Sequence, residues 1–74
     1  MLTLYGTDAC HLCELAASLL DRLGVEYEEV DISGSDELFA RYGLTIPVLR
    51  RLDGAELNWP FDAAALGDFL TPVP

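Results

Sequence analysis

The chain contains no lysine and only four arginines against thirteen Asp and Glu, a formal net charge of −9 over 74 residues. Phosphate recognition draws its affinity from clustered Lys and Arg, so this balance argues against a nucleic-acid partner. No stretch approaches the ~20 apolar residues needed to span a bilayer, and the N-terminus lacks the basic start and long apolar run of a secretory signal. A cytoplasmic protein without membrane attachment is expected. There are two cysteines and one histidine, and the histidine lies between the cysteines. A four-ligand zinc site within one chain is therefore short of ligands, and no metal is expected. In a reducing compartment a close cysteine pair serves redox or metal chemistry rather than structural stapling.

What is present suffices for a globule. Hydrophobic residues make up 51% of the chain, and the six glycines and four prolines are scattered. The length allows one domain, spanning residues 1–74, with a limited stability margin and a compact site. A monomer is expected. The acids are spread from Asp8 to Asp68 and read first as a solvated surface, and secondly as a field that steers a basic partner.

Met1 to Tyr5 form a short apolar run of strand formers, broken by Gly6-Thr7-Asp8. From Leu12, apolar residues recur at Leu15, Ala16, Leu19, Leu20 and Leu23, the spacing of one helical face, and Gly24 supplies a C-terminal stop. Val25 to Ile32 reads as a second strand whose apolar phase shifts across Glu28-Glu29, which predicts a twist or bulge; its four acids suit a sheet edge. Ser33-Gly34-Ser35 caps a short helix over Asp36 to Tyr42, closed by Gly43. Pro47 to Arg51 and Ala55 to Trp59 flank Asp53-Gly54, a dipeptide suited to a tight antiparallel hairpin. Asp62 caps a last helix carrying Leu66, Phe69 and Leu70, and Thr71-Pro72 stops it. The order is βαβαββα, an α/β fold with a mixed four-stranded sheet flanked by three helices.

Cys10 and Cys13 fall at i and i+3 where the first strand meets the first helix, close enough for a disulfide with little backbone movement. Cys13 borders the apolar stripe and Cys10 points away from it, so Cys10 is the accessible sulfur. The helix N-terminus favours a thiolate there, which makes Cys10 the nucleophile and Cys13 the resolving thiol. His11 either charge-stabilises the Cys10 sulfur or is an exposed polar residue. Asp8 and Glu14 act in the opposite sense, because nearby negative charge disfavours a thiolate.

With that element order, the segment Tyr5-Gly6-Thr7-Asp8-Ala9-Cys10-His11-Leu12-Cys13 and the tripeptide Thr45-Ile46-Pro47, nearly the whole chain resembles glutaredoxin-like proteins of the thioredoxin superfamily. The resemblance implies a cis Pro47 opening the third strand beside the redox pair. It also implies a substrate-binding segment, Thr45, Ile46 and Pro47, in which the Ile46 backbone hydrogen-bonds an extended thiol peptide. Three departures bear on glutathione, the possible co-substrate. His11 replaces the usual proline after the first cysteine, and Asp8 replaces a common lysine. The Gly-Gly pair that admits glutathione's γ-glutamyl end gives way to Asn58-Trp59-Pro60-Phe61-Asp62. Tyr5, Trp59, Phe61 and Asp62 are candidates for the rim of the groove, with Asp62 able to meet an amino group and Arg41, Arg50 or Arg51 a carboxylate.

The expected function is thiol–disulfide exchange with a protein disulfide substrate or a reductase, with little use of glutathione and no resident cofactor. Two other classes remain open at this stage: a redox-inactive binding module on the same fold, and an iron–sulfur carrier in which two chains each supply Cys10.

Overall fold

A computed structural model describes residues 2–71. Within them the chain runs β1 (Leu2–Gly6), α1 (His11–Arg22), β2 (Tyr27–Asp31), a single 3-10 turn (Ile32–Gly34), α2 (Asp36–Tyr42), β3 (Val48–Arg50), β4 (Glu56–Asn58) and α3 (Ala63–Leu70). Apart from the added 3-10 turn, this is the expected order. Met1, expected to start the first strand, and Pro72, expected to stop the last helix, lie outside the described residues.

The four strands form one sheet in the order β2-β1-β3-β4, with β1 parallel to β2 and antiparallel to β3, and β3 antiparallel to β4. Alternation along β1 and β3 sends Leu4 and Leu49 to one face and Tyr5 and Val48 to the other. On the first face, Leu4, Leu49 and Phe61 close over Ala16 and Leu20 of α1 and Leu66 of α3. On the second, Val48 packs with Ile32 and Tyr42 at the two ends of the α2 region. The site therefore hangs on a sheet covered on both faces.

Local signals explain most boundaries. The side chains of Ser35 and Asp62 accept from Leu38 and Ala65 N–H groups, each satisfying a first-turn donor that the helix itself leaves free. Gly24 follows α1 at φ +70°, the left-handed conformation that a glycine adopts without steric cost. Gly43 differs, because its φ is −56°. A Cβ there would strike the Phe39 carbonyl, so this glycine is needed for space and not for a left-handed turn.

Three expectations are corrected. Strand β2 carries no bulge: it pairs residue for residue from Leu2 with Tyr27 to Gly6 with Asp31. The apparent phase shift arises because Val25 precedes the strand and Ile32 already belongs to the 3-10 turn, which Asp31 caps by accepting from Ser33 N–H at 2.9 Å. Gly6 does not break β1 but is its last residue. The hairpin is tight as expected, with a loop of three residues: Arg51 N–H bonds the Ala55 carbonyl and Gly54 N–H bonds the Arg51 carbonyl, with Gly54 at φ +92°. Finally, α1 buries Cys13, Ala16 and Leu20, while Leu12, Leu15 and Leu23 stay substantially exposed, because the apolar stripe is wider than the sheet contact beneath it.

The outer strand is tied to α1 through Tyr27, whose ring packs on the core and whose hydroxyl lies 2.9 Å from the Asp21 carboxylate. Desolvation, followed by the hydrogen bond and negative charge of Asp21 and the neighbouring Glu29, pushes Tyr27 from 10.0 up to about 12. The unfolded chain thus loses this proton at lower pH than the native chain. Its stabilising effect is complete below pH 10.0 and is lost as pH rises through about 12. The midpoint of thermal unfolding should fall across that interval, and Tyr27→Phe should flatten the fall relative to wild type, leaving the part due to Tyr42, which burial and the Glu56 carboxylate also push upward. Circular dichroism melts at stepped pH measure it.

Candidate redox site

Cys10 is the residue that opens α1. Its backbone is extended (φ −106°, ψ 105°), its carbonyl accepts the Glu14 N–H at 3.2 Å, and its sulfur accepts the Cys13 N–H at 3.1 Å. A sulfur thus occupies the place of the serine or aspartate oxygen that ordinarily caps a helix. The Cys10–Cys13 disulfide spans a Cα–Cα distance of 5.2 Å. Cys10 is half-buried, whereas Cys13 is only 8% exposed. The accessible and shielded roles expected of the two sulfurs match this difference.

Cys13 is seated on β1. A Cβ built at Gly6 would lie 2.9 Å from the Cys13 sulfur and 3.1 Å from its Cβ, so only glycine permits the contact. Extending the β1–β3 register by one residue beyond Tyr5 and Val48 puts Pro47 opposite Gly6. The Ile46–Pro47 bond is cis. The redox pair, Gly6 and Pro47 are thereby lined up across α1, β1 and β3.

The segment before Pro47 is held from within the chain. The Tyr42 carbonyl accepts from Thr45 N–H at 2.9 Å, Ile46 N–H at 3.1 Å and the Thr45 hydroxyl at 3.3 Å. The Ile46 N–H, one of the two backbone groups of the residue expected to bond an incoming peptide, is therefore engaged within the chain. Thr45 is exposed, Ile46 half-buried and Pro47 buried.

The other candidates divide. Asp8 is exposed two residues before Cys10. His11 turns outward, its side chain 79% exposed and its Nδ1 3.7 Å from the Glu14 carboxylate. Phe61 is a core residue and not a rim residue, and Trp59 packs edge-on to it at 5.1 Å. Tyr5 stacks on Tyr42 at 4.4 Å on the α2 face of the sheet. Asp62 is engaged as the α3 cap. Arg51 chelates Asp53 and donates to the Phe69 carbonyl, while Arg41 lies over the Tyr42 ring.

Two features of this region went unread in the sequence. A cleft of about 500 Å³ between α1 and the β2 edge is bordered by Cys13 together with Asp8, Glu14, Asp21, Glu29 and Asp31. The acids are dispersed along the chain and converge only because β2 lies beside β1. The Trp59–Pro60 bond is also cis. Gly6 did carry a signal, since a glycine within a strand marks close approach of another group.

A four-stranded mixed sheet under three helices, with a CxxC disulfide at the start of α1 and a cis proline opening β3, defines a thioredoxin-fold domain of glutaredoxin type. The profile of the Glutaredoxin-like domain family (DUF836) matches residues 1–71, and the chain belongs to that family. Among solved structures it is similar to target protein XcR50 from X. campestris, with 43% identity, TM-score 0.91 and both chains covered completely in the X-ray structure. The solution structure of XcR50 gives 43% identity and TM-score 0.86, covering 99% of this chain and 95% of that one. Protein Ne2328 from Nitrosomonas europaea is 32% identical with TM-score 0.80, covering 95% of this chain and 89% of that one. No curated protein matches the chain.

Two substitutions probe this geometry. Gly6→Ala drives a methyl into the Cys13 sulfur and should cost about 1–3 kcal/mol, the usual range for overpacking, as measured by urea unfolding of the oxidised protein. In the reduced protein Cys10→Ala should cost about 1 kcal/mol through loss of the cap, whereas Cys10→Ser retains an acceptor and should cost less. Unfolding curves with dithiothreitol present compare the two.

Proposed function

We propose that the protein is a thiol–disulfide oxidoreductase acting on protein or small-thiol disulfides, with Cys10 as nucleophile and Cys13 as resolving thiol. The observation that carries this reading is the difference between the two sulfurs. Cys10 is the more accessible and caps a twelve-residue helix, and Cys13 is packed against Gly6. On reduction, the N–H groups and dipole of the helix start favour negative charge on the Cys10 sulfur. The surrounding carboxylates oppose it, so the balance between them sets reactivity.

In the reductive direction the Cys10 thiolate attacks one sulfur of a substrate disulfide. A mixed disulfide forms and the substrate's other sulfur leaves as a thiolate. Cys13, deprotonated, then attacks the Cys10 sulfur and expels the second substrate thiolate. The substrate gains two electrons and, from solvent, the protons its thiols require, while the protein becomes the Cys10–Cys13 disulfide. Oxidation of a substrate dithiol is the same path reversed.

Glutathione is at most a weak co-substrate in this reading. Trp59, Pro60, Phe61 and Asp62 stand where the resemblance calls for Gly-Gly, and Phe61 and Asp62 are engaged in the core and the α3 cap. The working partner is a protein disulfide or a reductase.

A redox titration in glutathione buffers, trapped by alkylation and read by intact mass, tests the proposal on wild type, Cys10→Ser and Cys13→Ser. One cooperative two-electron transition between about −270 and −120 mV is expected, with a stable mixed disulfide accumulating only in Cys13→Ser. Two thiols that react independently, with no intramolecular disulfide, would refute it. Slow and non-saturating turnover of a glutathione mixed disulfide is the matching expectation for substrate choice.

A further inference from the structure

We propose that the end of α1 carrying the disulfide docks a partner protein whose reactive sulfur is flanked by an apolar side chain and by lysine or arginine. The proposal rests on the oxidoreductase reading and adds the chemistry of the partner. Two independent observations support it, one apolar and one electrostatic.

The apolar observation is the pair Leu12 and Leu15, 45% and 43% exposed on the first turns of α1. They stand three residues apart on one flank of the helix, beside the disulfide in sequence and off the face formed by Cys13, Ala16 and Leu20. The core does not use them fully, and an association that covers them removes apolar surface from water.

The electrostatic observation concerns the other flank. Asp8, Glu14, Asp21, Glu29 and Asp31 share the cleft that Cys13 borders. Among the described residues none of the four arginines forms an ion pair with these carboxylates. Arg22 ends α1, eleven residues beyond His11 and roughly 16 Å along the axis. Arg41 lies over Tyr42, Arg50 ends β3, and Arg51 is held by Asp53 and the Phe69 carbonyl. His11 already faces Glu14. With a net charge of −9, the protein repels acidic surfaces and attracts basic ones most strongly where its carboxylates gather, around the cleft that Cys13 borders at the disulfide end of α1. Charge complementarity therefore selects a basic partner, and the leucine pair selects one that also offers an apolar contact. A second copy of this acidic chain is disfavoured as the occupant.

The test uses reduced full-length protein and peptides bearing one cysteine in disulfide linkage with 2-mercaptoethanol. The peptides differ only beside the cysteine: leucine with lysines, leucine with glutamates, and serine with lysines. In each reaction Cys10 displaces one sulfur, Cys13 completes the reduction, and two thiols are released for one protein disulfide formed. Second-order rates are divided by that of dithiothreitol on the same peptide, which removes differences in intrinsic reactivity.

The leucine–lysine peptide should outpace the leucine–glutamate peptide about tenfold at roughly 20 mM salt, and the ratio should shrink toward about twofold near 0.5 M as charges are screened. Glu14→Gln should lower the low-salt ratio about twofold. The double variant Leu12→Ser, Leu15→Ser should remove the advantage of the leucine–lysine peptide over the serine–lysine one; all three positions are exposed, so folding is not at stake. Equal normalised rates for all peptides would overturn the docking proposal and leave the redox chemistry standing. Failure of every peptide and of bis(2-hydroxyethyl) disulfide to react would overturn both.

Discussion

The contact between the Cys13 sulfur and Gly6 is the constraint on which the site depends. It brings the start of α1 down onto the end of β1 at a distance that a methyl group would prevent. Because Gly6 is also the last residue of the β1–β2 ladder and stands opposite Pro47 by register, the same contact references the disulfide to three elements at once. Cys13 is shielded as a consequence, and Cys10, one helical turn earlier, remains at the edge of the surface. The chemical asymmetry of the pair is thus a packing asymmetry.

The sheet order carries the rest. With β2 outermost beside β1, the acidic residues of the outer strand and of α1 lie on either side of one cleft that ends at Cys13. The helix start favours a thiolate, whereas those carboxylates oppose it, so two opposing electrostatic effects meet at the disulfide. The fold supplies the first, and this chain's own composition supplies the second.

Residues 42–47 complete the arrangement. Tyr42 is clamped by stacking on Tyr5 and by a 2.5 Å hydrogen bond to Glu56 on β4, and its carbonyl gathers Thr45 and Ile46. The segment before Pro47 is therefore anchored to α2 and not presented as a free strand edge. Any group that bonded the Ile46 N–H would have to displace the Tyr42 carbonyl from it.

Much of this was legible in the residues themselves, because it depends on neighbours in sequence. Period-3.6 spacing defined α1, Ser35 and Asp62 announced their helices, and the i, i+3 spacing of Cys10 and Cys13 brought two sulfurs onto one turn. Other features depend on what lies across the fold. The spacing of Leu12 and Leu15 could not say that the sheet is too narrow to cover them, and nothing beside Phe61 says that its loop turns it into the core. The capture of the Ile46 N–H by Tyr42 and the meeting of five dispersed carboxylates also follow from proximity that no local pattern encodes. The sequence alone determined the chemistry available, a dithiol at a helix start in an acidic chain. Tertiary structure decided which sulfur is shielded, which charges gather beside it and which apolar residues stay exposed, because those are questions of distance between segments and not of spacing within one.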